Sequence, residues 1–141
     1  MGGLRYLLDT NILSEPTKAE PDSHVCQKII AAQTSIATAS VVVDELVFGI
    51  NTLSPSKKQT MLESWLGSVL SELPILPFDF DAAQWHGRER ARLRRAGFTP
   101  SYSDGLIAAI AIVNDLVLVT RNTSDFRYFR ELKVENWFEA G

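Results

Sequence analysis

Four acidic side chains stand where apolar segments stop or helices begin: Asp9, Glu45, Asp104 and Asp125. Asp9 ends the run 4–8 (LRYLL), and Glu45 interrupts the apolar stretch VVVDELVFGI. Asp104 lies in SYSDGLIAAIA, and Asp125 follows the run 116–119 (LVLV). Carboxylates brought together repel one another and raise each other's pKa values. Hard cations relieve that repulsion, and an all-oxygen donor set suits Mg2+ or Mn2+ rather than zinc. Such a site hydrolyses phosphodiesters with an activated water and needs no side-chain nucleophile. The chain holds 17 acidic residues, so it is position rather than acidity that singles these out.

Their positions depend on the elements between them. Residues 4–8 predict a buried strand, and 34–39 (TSIATA), rich in β-branched types, a second. Pro21 to Gln33 reads as an amphipathic helix capped by Asp22 or Ser23. Val42 to Asn51 reads as a helix, and Ser56 to Leu73 as the clearest one. On the latter, Met61, Leu62, Trp65, Leu66, Val69, Leu70 and Leu73 recur on one face. Pro74 and Pro77 bracket a short strand, Ile75–Leu76. Asp79 caps a helix that carries Arg88, Arg90, Arg92, Arg94 and Arg95 and stops at Gly97. Ser101 opens a further helix, with Asp104 three residues on in a capping-box relation. The run 116–119 reads as a central parallel strand. Phe126, Phe129 and Leu132 suggest a helical turn, and Val134 an edge strand.

Strands alternating with helices predict a three-layer α/β/α sandwich with a mostly parallel sheet, in a single domain over 1–141. Functional residues of such sheets gather beyond the carboxyl ends of the strands. The four acids, far apart in sequence, are expected to meet at that edge. Asp115, in the turn before the 116–119 strand, belongs to the opposite edge.

Composition narrows the rest. Net charge is −3 and the pI about 5.4, which argues against gripping nucleic acid by bulk positive charge. Five arginines within eight residues are the local exception; they either meet RNA phosphates or form a solvated helix face. The single cysteine, Cys26, rules out an internal disulfide and reads as a small buried hydrophobe. His24 and His86 lack metal-ligand spacing, and no serine has a nucleophile-elbow context. No long apolar run suggests a signal peptide or a membrane span, so the cytoplasm is the expected location.

The segment 101–125, SYSDGLIAAIAIVNDLVLVTRNTSD, resembles the C-terminal half of a PIN domain, most closely of the VapC toxins of toxin–antitoxin pairs. The likeness runs through LLDTNILSE (7–15), DELVFGI (44–50), ILPFD (75–79) and RLRRAG (92–97) to NWFE near the end. It implies a metal-dependent endoribonuclease using Mg2+ or Mn2+, with Asp9, Glu45 and Asp104 as metal-binding acids. By the same resemblance Thr10 and Asn11 match the residues after the first acid and Thr120 the hydroxyl near the site, and a homodimer, a VapB-like antitoxin, and tRNA or rRNA as substrate class are implied. The alternative is a PIN-domain regulator that binds nucleic acid with its partner and cleaves little or not at all. Val42 stands where relatives carry a capping Ser or Thr, which leaves the start of that helix open. Asp44 and Glu45 point about 100° apart, so both cannot face one metal. The fourth acid is either Asp125, the favoured position, or a site at Asn122 that lacks a carboxylate.

Overall fold

A computed structural model describes residues 3–138; Met1, Gly2 and residues 139–141, with the last residue of NWFE, lie outside the described residues. The strands are β1 (Tyr6–Leu8), β2 (Ile36–Ala39), β3 (Ile75–Leu76), β4 (Val117–Val119) and β5 (Val134–Glu135). The helices are α1 (Thr10–Leu13), α2 (Ser23–Ala31), α3 (Ser40–Asn51), α4 (Lys57–Glu72), α5 (Phe80–Arg95) and α6 (Tyr102–Val113). Short 3-10 turns cover Glu15–Thr17 and Thr123–Phe126.

The sheet runs β3-β2-β1-β4-β5, and every pairing is parallel. All four residues of β2 are buried, so both faces of the sheet are covered, as parallel sheets require. The expected three-layer architecture is present. From β1 the chain moves to one side, through β2 and β3, then returns to place β4 on the other side of β1. The crevice where the direction reverses lies between the carboxyl ends of β1 and β4.

Local chemistry starts most helices as expected. The Asp22 carboxylate accepts from the Val25 N–H at 3.0 Å, and Asp79 from the Ala82 N–H at 2.9 Å. Ser56 Oγ accepts from the Gln59 N–H at 3.1 Å, and Ser101 Oγ from the Asp104 N–H at 3.1 Å. Beyond α5, Gly97 takes φ +89°, a conformation that glycine adopts without steric cost.

Other segments depart from expectation. α3 begins at Ser40, earlier than Val42, with Ala39 at its cap position and no side-chain cap. α1 and the turn after it carry no signal in the sequence; four residues hold too little periodicity to read. Along α2 only Val25 is buried, Cys26 is partly exposed, and Ile30 is 67% exposed. On α4 only Leu66 is buried, and Met61 is 50% exposed. Leu62, Trp65, Val69, Leu70 and Leu73 are partly buried against the core, and Met61, Leu62 and Trp65 also line an open groove.

Two contacts hold the second half of the chain together. Gly105 meets α5 so closely that a Cβ there would lie 2.6 Å from His86 Nε2. The His86 ring is packed edge-on against Phe78 and Tyr102. One turn on, Glu89 is buried and accepts from Arg92 Nε at 2.7 Å and Nη2 at 2.8 Å. It also accepts from the Arg130 N–H at 2.8 Å, while Arg92 Nη2 donates to the Tyr128 carbonyl at 3.1 Å. One arginine of the cluster is thus structural, tying α5 to residues 128–130.

Both contacts can be checked by stability. Gly105→Ala overpacks a helix crossing and should cost about 1–3 kcal/mol, measured by urea unfolding. Hydrogen bonds from Arg92 hold the Glu89 carboxyl below its ordinary value of 4.5, against the opposing effect of burial. A depressed carboxyl stabilises the fold above its unfolded pKa, and that stability is lost as pH falls through the folded value. Glu89→Gln should therefore cost about 1–3 kcal/mol at pH 7, with the gap from the native chain closing in acid below pH 4.5.

Candidate active site

Asp9 leaves the end of β1 at the crevice and is 6% exposed. Its N–H donates to the Val119 carbonyl at 2.9 Å, continuing the pairing with β4. One carboxylate oxygen accepts from the Thr10 N–H at 2.8 Å, and the other from the Thr120 hydroxyl at 2.8 Å. Burial pushes the Asp9 carboxyl above its ordinary 3.8; the charge of Glu45 adds to this, while the two hydrogen bonds oppose it. A buried carboxylate held this way is fixed in place yet retains lone pairs for a further ligand.

Glu45 reaches the same point from α3. The Thr10 hydroxyl donates to its Oε1 at 2.6 Å. Asp44, one residue earlier, is exposed, as the helical turn requires. Asp104 sits in the first turn of α6 and is half-buried. Burial raises its pKa most; the charges of Asp9 and Asp125 raise it further, against the Ser101 hydroxyl. The four acids therefore sense one another: Asp9 with Glu45, and Asp104 with both Asp9 and Asp125.

The strand-end polar residues form a second tier. Asn11 Nδ2 donates to Thr120 Oγ1 at 3.4 Å, and Asn11 Oδ1 accepts from the Arg121 N–H at 3.0 Å. Asn11 thus braces Thr120 rather than Asp9. The Asn122 N–H also donates to Thr120 Oγ1, at 3.1 Å. Asp125 is the third residue of the turn Thr123–Phe126, not the cap of a helix starting at Phe126. It shares a cleft of about 440 Å³ with Asp104, Ser101 and Ser124. Asn122 does not line that cleft. Asp115 takes φ +54° in the turn before β4, at the other end of the strand.

Among the described residues, no three acidic, histidine or cysteine side chains gather tightly enough to form a ligand group for one ion. Asp104 and Asp125 line one open cleft, Glu45 lines the separate groove beside α4, and Asp9 is buried. Sequence reasoning missed the Thr10–Glu45 hydrogen bond, because nothing local marks a partner 35 residues away. It also missed the pocket beside the cleft, where Arg90 and Arg94 lie with Tyr102. The arginine cluster was visible, but which arginines face a concavity is set by tertiary packing.

Likeness to known proteins agrees with this geometry. The chain is 35% identical to Ribonuclease VapC2 of Rickettsia felis, over 94% of this chain and 97% of that protein. It is 29% identical to the tRNA(fMet)-specific endonuclease VapC of Salmonella typhimurium, over 95% of this chain and 98% of that one. Its fold matches the crystal structure of VapBC2 from Rickettsia felis bound to a DNA fragment from their promoter. That match has a TM-score of 0.82 and 32% identity, covering 95% of this chain and 99% of the other. The family model for the PIN domain matches residues 6–132, which takes in β1, the switch-point crevice and all four acids; the chain belongs to the PIN-domain family.

Proposed function

We propose that this protein is a divalent-metal-dependent endoribonuclease, the toxin of a toxin–antitoxin pair, that hydrolyses phosphodiester bonds in RNA. The observation that carries the reading is the placement of the acids around the switch point of a PIN-family sheet: Thr10 is hydrogen-bonded to both Asp9 and Glu45, and Asp104 shares a cleft with Asp125. Relatives of nearly the same length are named as ribonucleases, and one as a tRNA endonuclease, which makes structured RNA of the tRNA or rRNA class the first substrate to try. The reading places this activity in the cytoplasm, with its RNA substrates; no helix of the described residues is long and apolar enough to cross a membrane.

The donor set fits Mg2+ or Mn2+: it is all oxygen, and Asp9 and Asp104 have pKa values raised partly by neighbouring acids. Such ions keep several waters and need only one or two carboxylates each, so an open cleft suits them. When bound, the metal supplies Lewis-acid stabilisation of the phosphate and lowers the pKa of an attacking water. The chain's own groups hold and orient. Asp9 and Asp104 would hold the cation, while Thr120 and the Thr10 N–H fix the Asp9 carboxylate and the Thr10 hydroxyl fixes Glu45. Asp125 completes the acids on the side of the 440 Å³ cleft.

The antitoxin has a fitting surface. An open groove between α3 and α4, about 1070 Å³, is lined by Leu46, Ile50, Met61, Leu62 and Trp65, with Thr10 and Glu45 at one end. An apolar segment of a VapB-like antitoxin lying there would lead a basic side chain to the acids, where it substitutes for the cation. The toxin acts as a homodimer in this reading.

Several outcomes test it. RNA cleavage by purified protein should require Mg2+ or Mn2+ and stop in EDTA; full activity with chelator would overturn the metal mechanism. Asp9→Asn and Asp104→Asn should each lower the single-turnover rate by about a hundredfold or more, roughly 2.7 kcal/mol. Their melting temperatures should hold or rise, since each removes a charge that burial disfavours. Asp115→Asn, at the far strand end, should cleave as the native chain does.

Asp125→Asn should slow cleavage about tenfold, roughly 1.4 kcal/mol, and weaken Mn2+ binding measured by calorimetry. An unchanged rate would leave a site of three acids. Met61→Glu in the groove should abolish growth rescue by the co-expressed antitoxin while leaving cleavage intact. Rescue by that pair as strong as with the native toxin would remove the groove from the antitoxin interface.

A further inference from the structure

Beside the acidic cleft, and separated from it by one wall, is a second concavity of about 330 Å³. Residues Phe98, Thr99, Pro100 and Ser101 line both. The second pocket adds Arg90 and Arg94, one helical turn apart on α5, with Tyr102 and His86 on its wall and Leu93 and Phe129 among its apolar lining. The Arg90 guanidinium lies over the Tyr102 ring, 5.1 Å from its centroid. Phe98 is stacked on Tyr128 at 4.3 Å and stays 40% exposed, while Tyr102 is 58% exposed. Among the described residues neither Arg90 nor Arg94 forms a salt bridge, whereas Arg92 between them does.

These observations bear on a physical problem left open by the proposed activity. The net charge is −3, so bulk charge does not attract an RNA strand, and the acidic cleft attracts phosphate only where cations fill it. Cationic side chains close to the cleft yet outside it would add affinity along the strand. Two unpaired guanidiniums can each meet a phosphate through a bidentate fork. Exposed aromatic rings supply a face on which any base can stack. A pocket of this volume, mostly apolar with a few convergent polar groups, is of a size for a small organic unit such as one nucleotide. Burial first, and the charge of Arg90 second, hold the His86 imidazole below its ordinary 6.5, so the arginines provide the positive charge there.

We propose that this pocket is a nucleotide subsite of the nuclease: it holds a residue of the RNA strand flanking the cleaved bond, phosphate on Arg90 and Arg94, base against Tyr102. The proposal rests on the ribonuclease reading above. It assigns substrate positioning to residues that the acid cluster does not include.

The experiment uses the full-length chain in two forms. Fluorescence anisotropy measures binding of a labelled single-stranded 12-nucleotide RNA to Asp104→Asn protein, which is expected not to cut it. Steady-state cleavage of the same RNA is measured on the otherwise native chain. Adding Arg90→Gln with Arg94→Gln should raise Kd and KM about tenfold and change kcat by less than about twofold. It should also reduce the slope of log affinity against log salt by about 0.7 for each phosphate no longer neutralised. Tyr102→Ala should weaken binding about tenfold with the salt slope unchanged. The control pair Arg88→Gln with Arg95→Gln, exposed on the same helix outside the pocket, should leave Kd within about twofold.

Equal losses from both arginine pairs would mean diffuse attraction and overturn the subsite. So would a native Kd for the Arg90/Arg94 pair, or its dissociation to monomers in sedimentation, which would make this face an interface between copies. Thermal melts of each variant exclude loss of fold. If the unsubstituted chain neither binds nor cuts RNA, the ribonuclease reading fails with it; if it does both and the Arg90/Arg94 pair matches it, only the subsite falls.

Discussion

The carboxylate of Asp9 is the constraint around which the rest is arranged. A charge at this depth is tolerable only if polar groups meet it from every side. Here they come from two elements: the first N–H of α1, and the hydroxyl at the end of β4. That requirement sets the relative positions of β1 and β4, because Thr120 reaches Asp9 only if Leu8 lies opposite Val119. It also sets where α1 begins, since Thr10 must turn its N–H to Asp9 and its hydroxyl to Glu45. Strand register, helix start and the separation of two acids follow from how one buried charge is satisfied.

The remaining groups divide the work by burial. Asp9 is enclosed and rigid, Asp104 half-buried, Asp125 exposed at the rim. Exposure therefore increases from the floor of the crevice outward, while the negative charge continues. On one side the rim opens to the α3–α4 groove, and on the other to the pocket bearing Arg90 and Arg94. The long groove and the arginine pocket are therefore lined by different residues, on separate flanks of the acids. A macromolecule that favours one flank and one that favours the other can both contend for the same centre.

Much of this was legible in the sequence where periodicity or a cap residue reports directly on local structure. The runs 4–8 and 116–119 were readable because strands buried on both faces are continuously apolar, although each proved shorter at its start. Asp22, Ser56, Asp79 and Ser101 announced helices because a cap acts within three residues. The order of helices and strands was enough to expect the four acids at one edge. Other features were not local. Periodicity along α4 showed an apolar face, but not that the fold buries only Leu66 fully and leaves Met61 exposed. Cys26 and Ile30 share a helix with buried Val25, yet the neighbouring elements cover only Val25 fully. The roles of the arginines separated only in three dimensions, with Arg92 drawn to Glu89 and the segment 128–130.

The distance along the chain between Asp9 and the hydroxyl that holds it has a consequence for timing. They are 111 residues apart, and β1 acquires its β4 neighbour only after every helix of the sandwich has been made. Parallel pairings across so long a loop are slow to form. A chain emerging from the ribosome presents Asp9 early, then Glu45, but its strand-end hydroxyl and Asp125 last. The acid cluster is thus completed by the final third of the polypeptide. The groove between α3 and α4 uses only residues up to Trp65, so its lining is synthesised first. The order of synthesis makes the surface for a partner before it makes the centre that the partner would cover.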